Sequence, residues 1–286
     1  MSKVIVIGKG PAGVSCAIYT ARAGIDTTII GNDIGSLGKA EMIENYYGFA
    51  EPISGAELSA KGIAQAERLG VRIISEEVVG MGYDGAFSVK TQSGEYRADS
   101  VVIATGSPRK TPKIKGIEEF EGLGVSYCAV CDGFFYRGKS VCVLGSGEYA
   151  LNEARELIPI AHQVTILTNG EELAGRAPEG VEVIEKLVSE LRGGDRLDGV
   201  LFKDGSEINA DGVFIAYGTA GSADLARKLG VFTEGNKILV NEEMETNIPG
   251  LFAAGDCTGG MMQVAKAVYE GARAGMAAIK YLRGGK

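Results

Sequence analysis

Lys3–Gly13 reads KVIVIGKGPAG, an apolar run rich in β-branched residues that ends in glycines at 8, 10 and 13. The helical pattern VSCAIYTARAG follows, and then a second apolar run, DTTII. Strand, G-x-G-x-x-G turn, helix and strand make the βαβ unit that binds dinucleotides. Gly8 lets the chain turn sharply, Gly10 lets backbone approach a pyrophosphate, and Gly13 lets the helix pack close to the strand. The same plan returns at Ser140–Ala150, SVCVLGSGEYA, with Gly145, Gly147 and Ala150 in the motif positions and LNEARELI and QVTIL behind them.

A second echo links the two copies. ADSVVIATG (Ala98 to Gly106) matches ADGVFIAYG (Ala210 to Gly218) at six of nine positions, and each follows a polar, hairpin-like segment. A further strand-like run, LFAAGD (Leu251 to Asp256), leads into a long helical pattern from Gln263 to Leu282 and has no partner motif after it. It is expected to return and complete the first domain. The prediction is therefore an α/β protein of two Rossmann-like dinucleotide-binding domains, the second inserted into a discontinuous first. Residues 1–110 and 242–286 form the first and residues 111–241 the second. The crossovers, near SPRKTPKIKG and EEMETNIPG, carry the Pro and Gly of linkers.

The bulk numbers agree with this plan. Of 286 residues 43 are Gly, about twice the usual share, as a fold with many tight turns requires. A net charge of −8 argues against a nucleic-acid partner, which wants clustered Lys and Arg. No apolar stretch approaches the roughly 20 residues of a membrane span, and the chain starts at once with a strand-like run where a signal peptide would stand. Five cysteines, an odd number, suit a reducing compartment in which disulfides are catalytic. A cytoplasmic location is expected.

Cys128-Ala-Val-Cys131, followed by Asp132, is the chemically telling stretch. Two cysteines so spaced form a small, readily reduced disulfide or half of a zinc site. Zinc would need two more ligands, and Cys16, Cys142, Cys257 and the single His162 lack metal spacing. No metal is expected. The other three cysteines read as small apolar or turn residues.

GKGPAG, ENYYGF, ISGAEL, ATG, CAVCDG and AAGD stand in the order found in low-molecular-weight thioredoxin reductases, and the chain resembles that family over nearly its whole length. The resemblance implies FAD in the first domain, a homodimer, thioredoxin as substrate and a redox disulfide on the second domain. It places Gly8, Gly10, Pro11, Ala12 and Gly13 at the FAD pyrophosphate, with Ala104, Thr105 and Gly106 at the turn that closes the domain. Asn45 matches an Asn beside the flavin. Gly255 and Asp256 bind the ribityl chain, and Gln263 and Val264 follow at the flavin end of the last helix. An acidic ribose ligand is not evident at Gly31–Asp33, and Met262 stands where the family has Arg. By the same resemblance Cys131 faces the flavin, Cys128 exchanges with the substrate disulfide, and Asp132 is the acid–base group.

The second glycine turn departs from the family pattern. Ordinary members follow it with a His-Arg-Arg cluster that grips the 2′-phosphate of NADPH. Here Glu148 brings negative charge to a helix N-terminus, Tyr149 brings bulk, and the next strand ends ILTNGEE without an Arg. This resembles ferredoxin-dependent flavin thioredoxin reductases, and reduced ferredoxin is the expected donor. An NADPH-dependent reductase and a flavin disulfide oxidase using oxygen are the alternatives. Arg109, Lys110, Lys113 and Lys115, extended by Arg137 and Lys139, offer a basic patch for an acidic donor.

Overall fold

The computed structural model describes residues 2–106, 112–217 and 221–284. It divides into two compact units, Met1–Pro108 with Gly221–Lys286, and Arg109–Ala220.

In chain order the first unit runs β1 (Lys3–Ile7), α1 (Pro11–Arg22), β2 (Asp26–Ile30), α2 (Gly55–Arg68), β3 (Arg72–Ile74), β4 (Val78–Tyr83), β5 (Phe87–Thr91), β6 (Glu95–Ala98) and β7 (Ser100–Ile103). The second holds β8 (Val125–Ser126), α3 (Ala129–Asp132), β9 (Ser140–Leu144), α4 (Glu148–Leu157), β10 (Gln163–Leu167), β11 (Glu182–Ile184), β12 (Val188–Gly193), β13 (Leu197–Phe202), β14 (Glu207–Asn209) and β15 (Gly212–Ile215). The chain then returns to the first unit with α5 (Ser222–Arg227), β16 (Thr233–Glu234), β17 (Lys237–Ile238), β18 (Leu251–Ala253) and α6 (Val264–Arg283).

Each unit is built on a five-stranded parallel sheet, in the order β18-β7-β1-β2-β3 and β11-β10-β9-β15-β8. Each also carries a three-stranded antiparallel sheet, β4-β5-β6 in one and β12-β13-β14 in the other. The sequence echo is thus an architectural one. β7 lies beside β1 as β15 lies beside β9, and β8 takes in the second sheet the place β18 takes in the first. The central strands are apolar on both faces because both faces of the sheet are covered, in the second unit one of them by Val188, Leu191, Val200 and Phe202 of the antiparallel sheet; β1, β7, β9, β10 and β15 are almost wholly buried. Each unit has its own core, around Val4, Val6, Val102 and Phe252 in one and Leu144, Val213, Ile215 and Phe202 in the other.

The return to the first unit comes at residue 221, not near 242 as the sequence suggests. Ser222 bonds the Thr105 hydroxyl and the Gly106 carbonyl, and Asn247 ties residues 230 and 232 to the same unit. The misplaced stretch holds the six-residue α5 and two strands of two residues each, all too short to show a period.

Helix α6 lies against α1 at backbone distance. A Cβ on Gly271 would stand 2.1 Å from the Ala12 carbonyl oxygen, so only glycine lets α6 cover the first turn of α1. Ala267, Ala274 and Ala278 bury beside it.

Candidate active site

In the first unit the ends of β1, β7 and β18 gather the expected cofactor residues. Gly8 has φ 108°, and a Cβ there would meet the Ala104 carbonyl oxygen at 2.3 Å. A Cβ on Gly13 would meet the Gly8 carbonyl oxygen at 1.9 Å, so strand and helix touch as the motif requires. Nothing lies within 4 Å of the corresponding point on Gly10, and this N-cap offers no side chain to the first N–H groups of α1. Pro11 opens that helix with its ring in place of an N–H that has no intrahelical partner. An open glycine before uncapped N–H groups is a cradle for a phosphate.

Gly255, at φ 90°, brings its turn against Ala12, whose Cβ lies 2.9 Å from where a Gly255 Cβ would be. Asp256 follows in a short 3₁₀ turn. Asn45 donates from Nδ2 to Oε1 of Gln263 at 3.0 Å, so two residues 218 apart in sequence share one bond. Gln263 is also the N-cap of α6 and Val264 its first residue.

Sequence reasoning missed the clamp on this loop. Lys266 Nζ donates to the Gly255 and Gly259 carbonyls and to the Thr258 hydroxyl, and pairs with Glu270 Oε2 at 3.0 Å. The same Glu270 oxygen accepts the Gly255 N–H and the Thr258 hydroxyl. Both side chains are largely buried, and the Lys–Glu spacing of four on a helix is the one signal the sequence carried.

In the second unit Cys128 and Cys131 form a disulfide with an S–S distance of 2.07 Å. Cys128 is the N-cap of α3 and is 3% exposed, whereas Cys131 is exposed. The turn is held by a chain of hydrogen bonds. Ser126 Oγ donates to Asp132 Oδ2 at 2.6 Å and accepts the Cys128 N–H at 3.1 Å. Cys128 Sγ accepts the Cys131 N–H, and the Cys128 carbonyl accepts the Asp132 N–H. Beneath them Glu153 of α4 accepts the Ala129 N–H at 2.8 Å. Asp132 therefore stands half-buried beside the disulfide, fixed by a serine that no motif announced. Val130, Phe134 and Phe135 are exposed around it, and the Arg137 guanidinium lies over the Phe134 ring. Cys16, Cys142 and Cys257 are buried, and burial pushes their thiols up to about 12, so they do not compete as thiolates. Among the described residues no three His, Cys, Asp or Glu side chains form a metal cluster.

The second glycine turn keeps the backbone of the first. A Cβ on Gly145 would meet the Ala216 carbonyl oxygen at 2.0 Å, as at Gly8 and Ala104. Its surroundings differ. Glu171 reaches back over the turn, where one oxygen accepts the Ser146 hydroxyl and the other the Tyr217 hydroxyl at 2.8 Å. The bond to Glu171 pushes the Tyr217 phenol up from its ordinary value. Ala174 N–H bonds the Ser146 carbonyl, and Gly175 lies close to Glu148. At the tip of β10, Asn169 turns into the left-handed region at φ 55° and accepts the Val188 N–H. Tyr149 is not an obstacle in this turn: it is wholly buried and donates to the Tyr127 carbonyl at 3.2 Å. The carboxylate beside the turn is that of Glu171, which the sequence showed only as one of two acids after the strand.

Of the basic patch, Arg109 and Lys110 lie outside the described residues. Lys115 is engaged with Glu190 at 2.6 Å, and Lys139 lies over the Tyr136 ring.

A family model described as pyridine nucleotide-disulphide oxidoreductase matches residues 2–271. The thioredoxin reductase of Aquifex aeolicus is 37% identical over 99% of this chain and 94% of its own length. The chain belongs to the thioredoxin reductases of this family. It is an FAD-dependent oxidoreductase acting on disulfides, and Cys128–Cys131 is its redox pair. The thioredoxin reductase of Bacillus subtilis is 38% identical over 88% of this chain and 85% of its own. Among solved structures, that of an atypical thioredoxin reductase, TRi, from Desulfovibrio vulgaris Hildenborough matches with a TM-score of 0.94 at 44% identity, over 99% of both chains. A ferredoxin-flavin thioredoxin reductase from Clostridium acetobutylicum matches with a TM-score of 0.74 at 33% identity, over the whole of both chains. No helix among the described residues is long and apolar enough to cross a membrane.

The first unit fits FAD. The open Gly10, the uncapped start of α1 and the Ala104–Gly106 and Gly255–Asp256 turns packed around it are the cradle that a dinucleotide requires.

Proposed function

We propose that this reductase takes electrons from reduced ferredoxin, not from a pyridine nucleotide, and passes them through FAD and the Cys128–Cys131 disulfide to thioredoxin. The observation that carries this reading is Glu171, whose carboxylate accepts the hydroxyl of Ser146 in the second glycine turn and that of Tyr217 just after β15. A nucleotide phosphate there would meet a negative charge and lose the two donors that could have bound it. One structural neighbour, from Clostridium acetobutylicum, is named a ferredoxin-flavin thioredoxin reductase, which agrees with this reading.

Gly8, Gly10, Pro11, Ala12 and Gly13 would hold the pyrophosphate, and Ala104–Gly106, Gly255 and Asp256 the rest of the chain up to the flavin. Asn45, Gln263 and Val264 would lie at the ring. The cofactor, when bound, exchanges electrons singly with a ferredoxin and as a pair with a disulfide. Two electrons break the Cys128–Cys131 bond, and Asp132 supplies a proton to Cys128 Sγ. For exchange Asp132 takes that proton back, and the Cys128 thiolate attacks one sulfur of the thioredoxin disulfide. Cys131 then displaces thioredoxin by attacking Cys128 Sγ, which re-forms the internal disulfide, and the departing thiolates are protonated. Cys128 must become exposed for this, since it is 3% accessible in the folded chain. Phe134 and Phe135, both more than two-thirds exposed, offer apolar surface to the incoming protein. The working assembly in this account is a homodimer.

A thermal melt tests the nucleotide half of the proposal. A ligand that binds only the folded protein raises Tm once its concentration exceeds Kd. FAD added to the stripped protein is expected to raise Tm, and millimolar NADPH is expected to leave Tm of the holoprotein unchanged. A clear rise with NADPH would contradict the proposal.

A further inference from the structure

We propose that Glu153 is a positioning residue that keeps the Cys128–Cys131 pair strongly reducing. The inference rests on that pair being the electron carrier to thioredoxin. Glu153 is 1% exposed, one helical turn from the buried Tyr149, Ala150 and Leu157 of α4. A carboxylate in that position is held by specific bonds. One of them is the N–H of Ala129, the residue directly after Cys128, accepted by Oε2 at 2.8 Å.

That N–H matters to the chemistry. When two electrons and two protons convert the disulfide to two thiols, any thiolate that forms at Cys128 is stabilised by the backbone donors of its turn. The Cys131 N–H already points at Cys128 Sγ at 3.1 Å. The Ala129 N–H is the next donor along the turn, and Glu153 takes it. The buried carboxylate also sets a negative charge below the cysteine, which opposes a thiolate. A disulfide whose reduced form is stabilised is an oxidant, as low-pKa thiols show. Withholding that stabilisation has the opposite effect, and it is what a donor to thioredoxin requires.

The test is equilibration of the complete, FAD-loaded protein with graded ratios of reduced to oxidised dithiothreitol under argon. Acid quenching, alkylation and peptide mass then give the redox state of Cys128 and Cys131 specifically. Glu153→Gln keeps an oxygen for the Ala129 N–H and removes the charge. It is expected to shift the half-reduction ratio about tenfold toward easier reduction, about 30 mV for a two-electron couple. Glu153→Asp retains the charge but, one methylene shorter, lets go of the Ala129 N–H, and is expected to shift the ratio in the same direction but clearly less than Glu153→Gln. If Glu153→Gln does not fold, Glu153→Met removes the same charge at similar length and is expected to shift the ratio in the same direction. An unchanged ratio in the neutral variant, or an equal shift in Glu153→Asp, overturns the inference while leaving the disulfide assignment intact. A pair that never equilibrates with dithiothreitol rejects both.

Discussion

Replacing Cys131 by Ser is expected to abolish thioredoxin reduction and to leave a covalent complex behind. With Cys131 gone, no thiol of the reductase remains to carry the exchange forward, and with a thioredoxin whose second active cysteine is replaced by Ser the mixed disulfide cannot collapse backward either. The complex should appear on a non-reducing gel and vanish on adding dithiothreitol. Cys128→Ser should be equally inactive but should trap nothing. The outcome bears on a tension in the structure, because Cys131 is the exposed sulfur and Cys128 the buried one. Trapping by Cys128→Ser and not by Cys131→Ser would show that exchange runs through the exposed sulfur and that the two roles are reversed.

The second large effect is expected at Asp132. Asp132→Asn is nearly isosteric and can still accept the Ser126 hydroxyl, so the turn should persist. Its turnover should fall by the roughly 10²–10⁴-fold typical of a lost acid–base group. Ser126→Ala leaves the carboxyl in place but removes both its tether and the acceptor of the Cys128 N–H. Its loss should be smaller. Steady-state rates with thioredoxin, alongside far-ultraviolet circular dichroism, separate the chemical effect from unfolding. A turnover in Asp132→Asn within a few-fold of the wild type would remove Asp132 from the mechanism.

What was legible in the sequence was local. The glycine spacings, the β-branched runs and the paired ADSVVIATG and ADGVFIAYG segments are short-range patterns with a fixed geometry behind them, and they led to two parallel sheets of like order. The Cys-x-x-Cys pair was legible for the same reason. What failed depended on contacts distant in sequence. The boundary at 221 is set by Ser222 reaching Thr105, 117 residues away. Tyr149 read as bulk in a phosphate site, yet it turns inward beneath the residue before Cys128. Glu171 read only as one of two acids after the strand, yet its carboxylate reaches back to Ser146, 25 residues away. Glu153 stood at a helix position where nothing in the periodicity separates a buried acid from a solvated one. Ser126 and the Lys266–Glu270 clamp escaped for another reason: their partners are near in sequence, but no motif marks which turn such a side chain will tie.

The claim that most needs testing is the electron donor, and anaerobic reduction of the flavin tests it directly. The holoprotein is mixed in a stopped-flow cell with NADPH, NADH or chemically reduced ferredoxin, and the flavin absorbance near 450 nm is followed, about where oxidised flavins absorb. Bleaching by ferredoxin within the turnover time is expected, and none by either nucleotide over minutes. Rapid bleaching by NADPH or NADH would contradict this and return this chain to the nucleotide-dependent reductases.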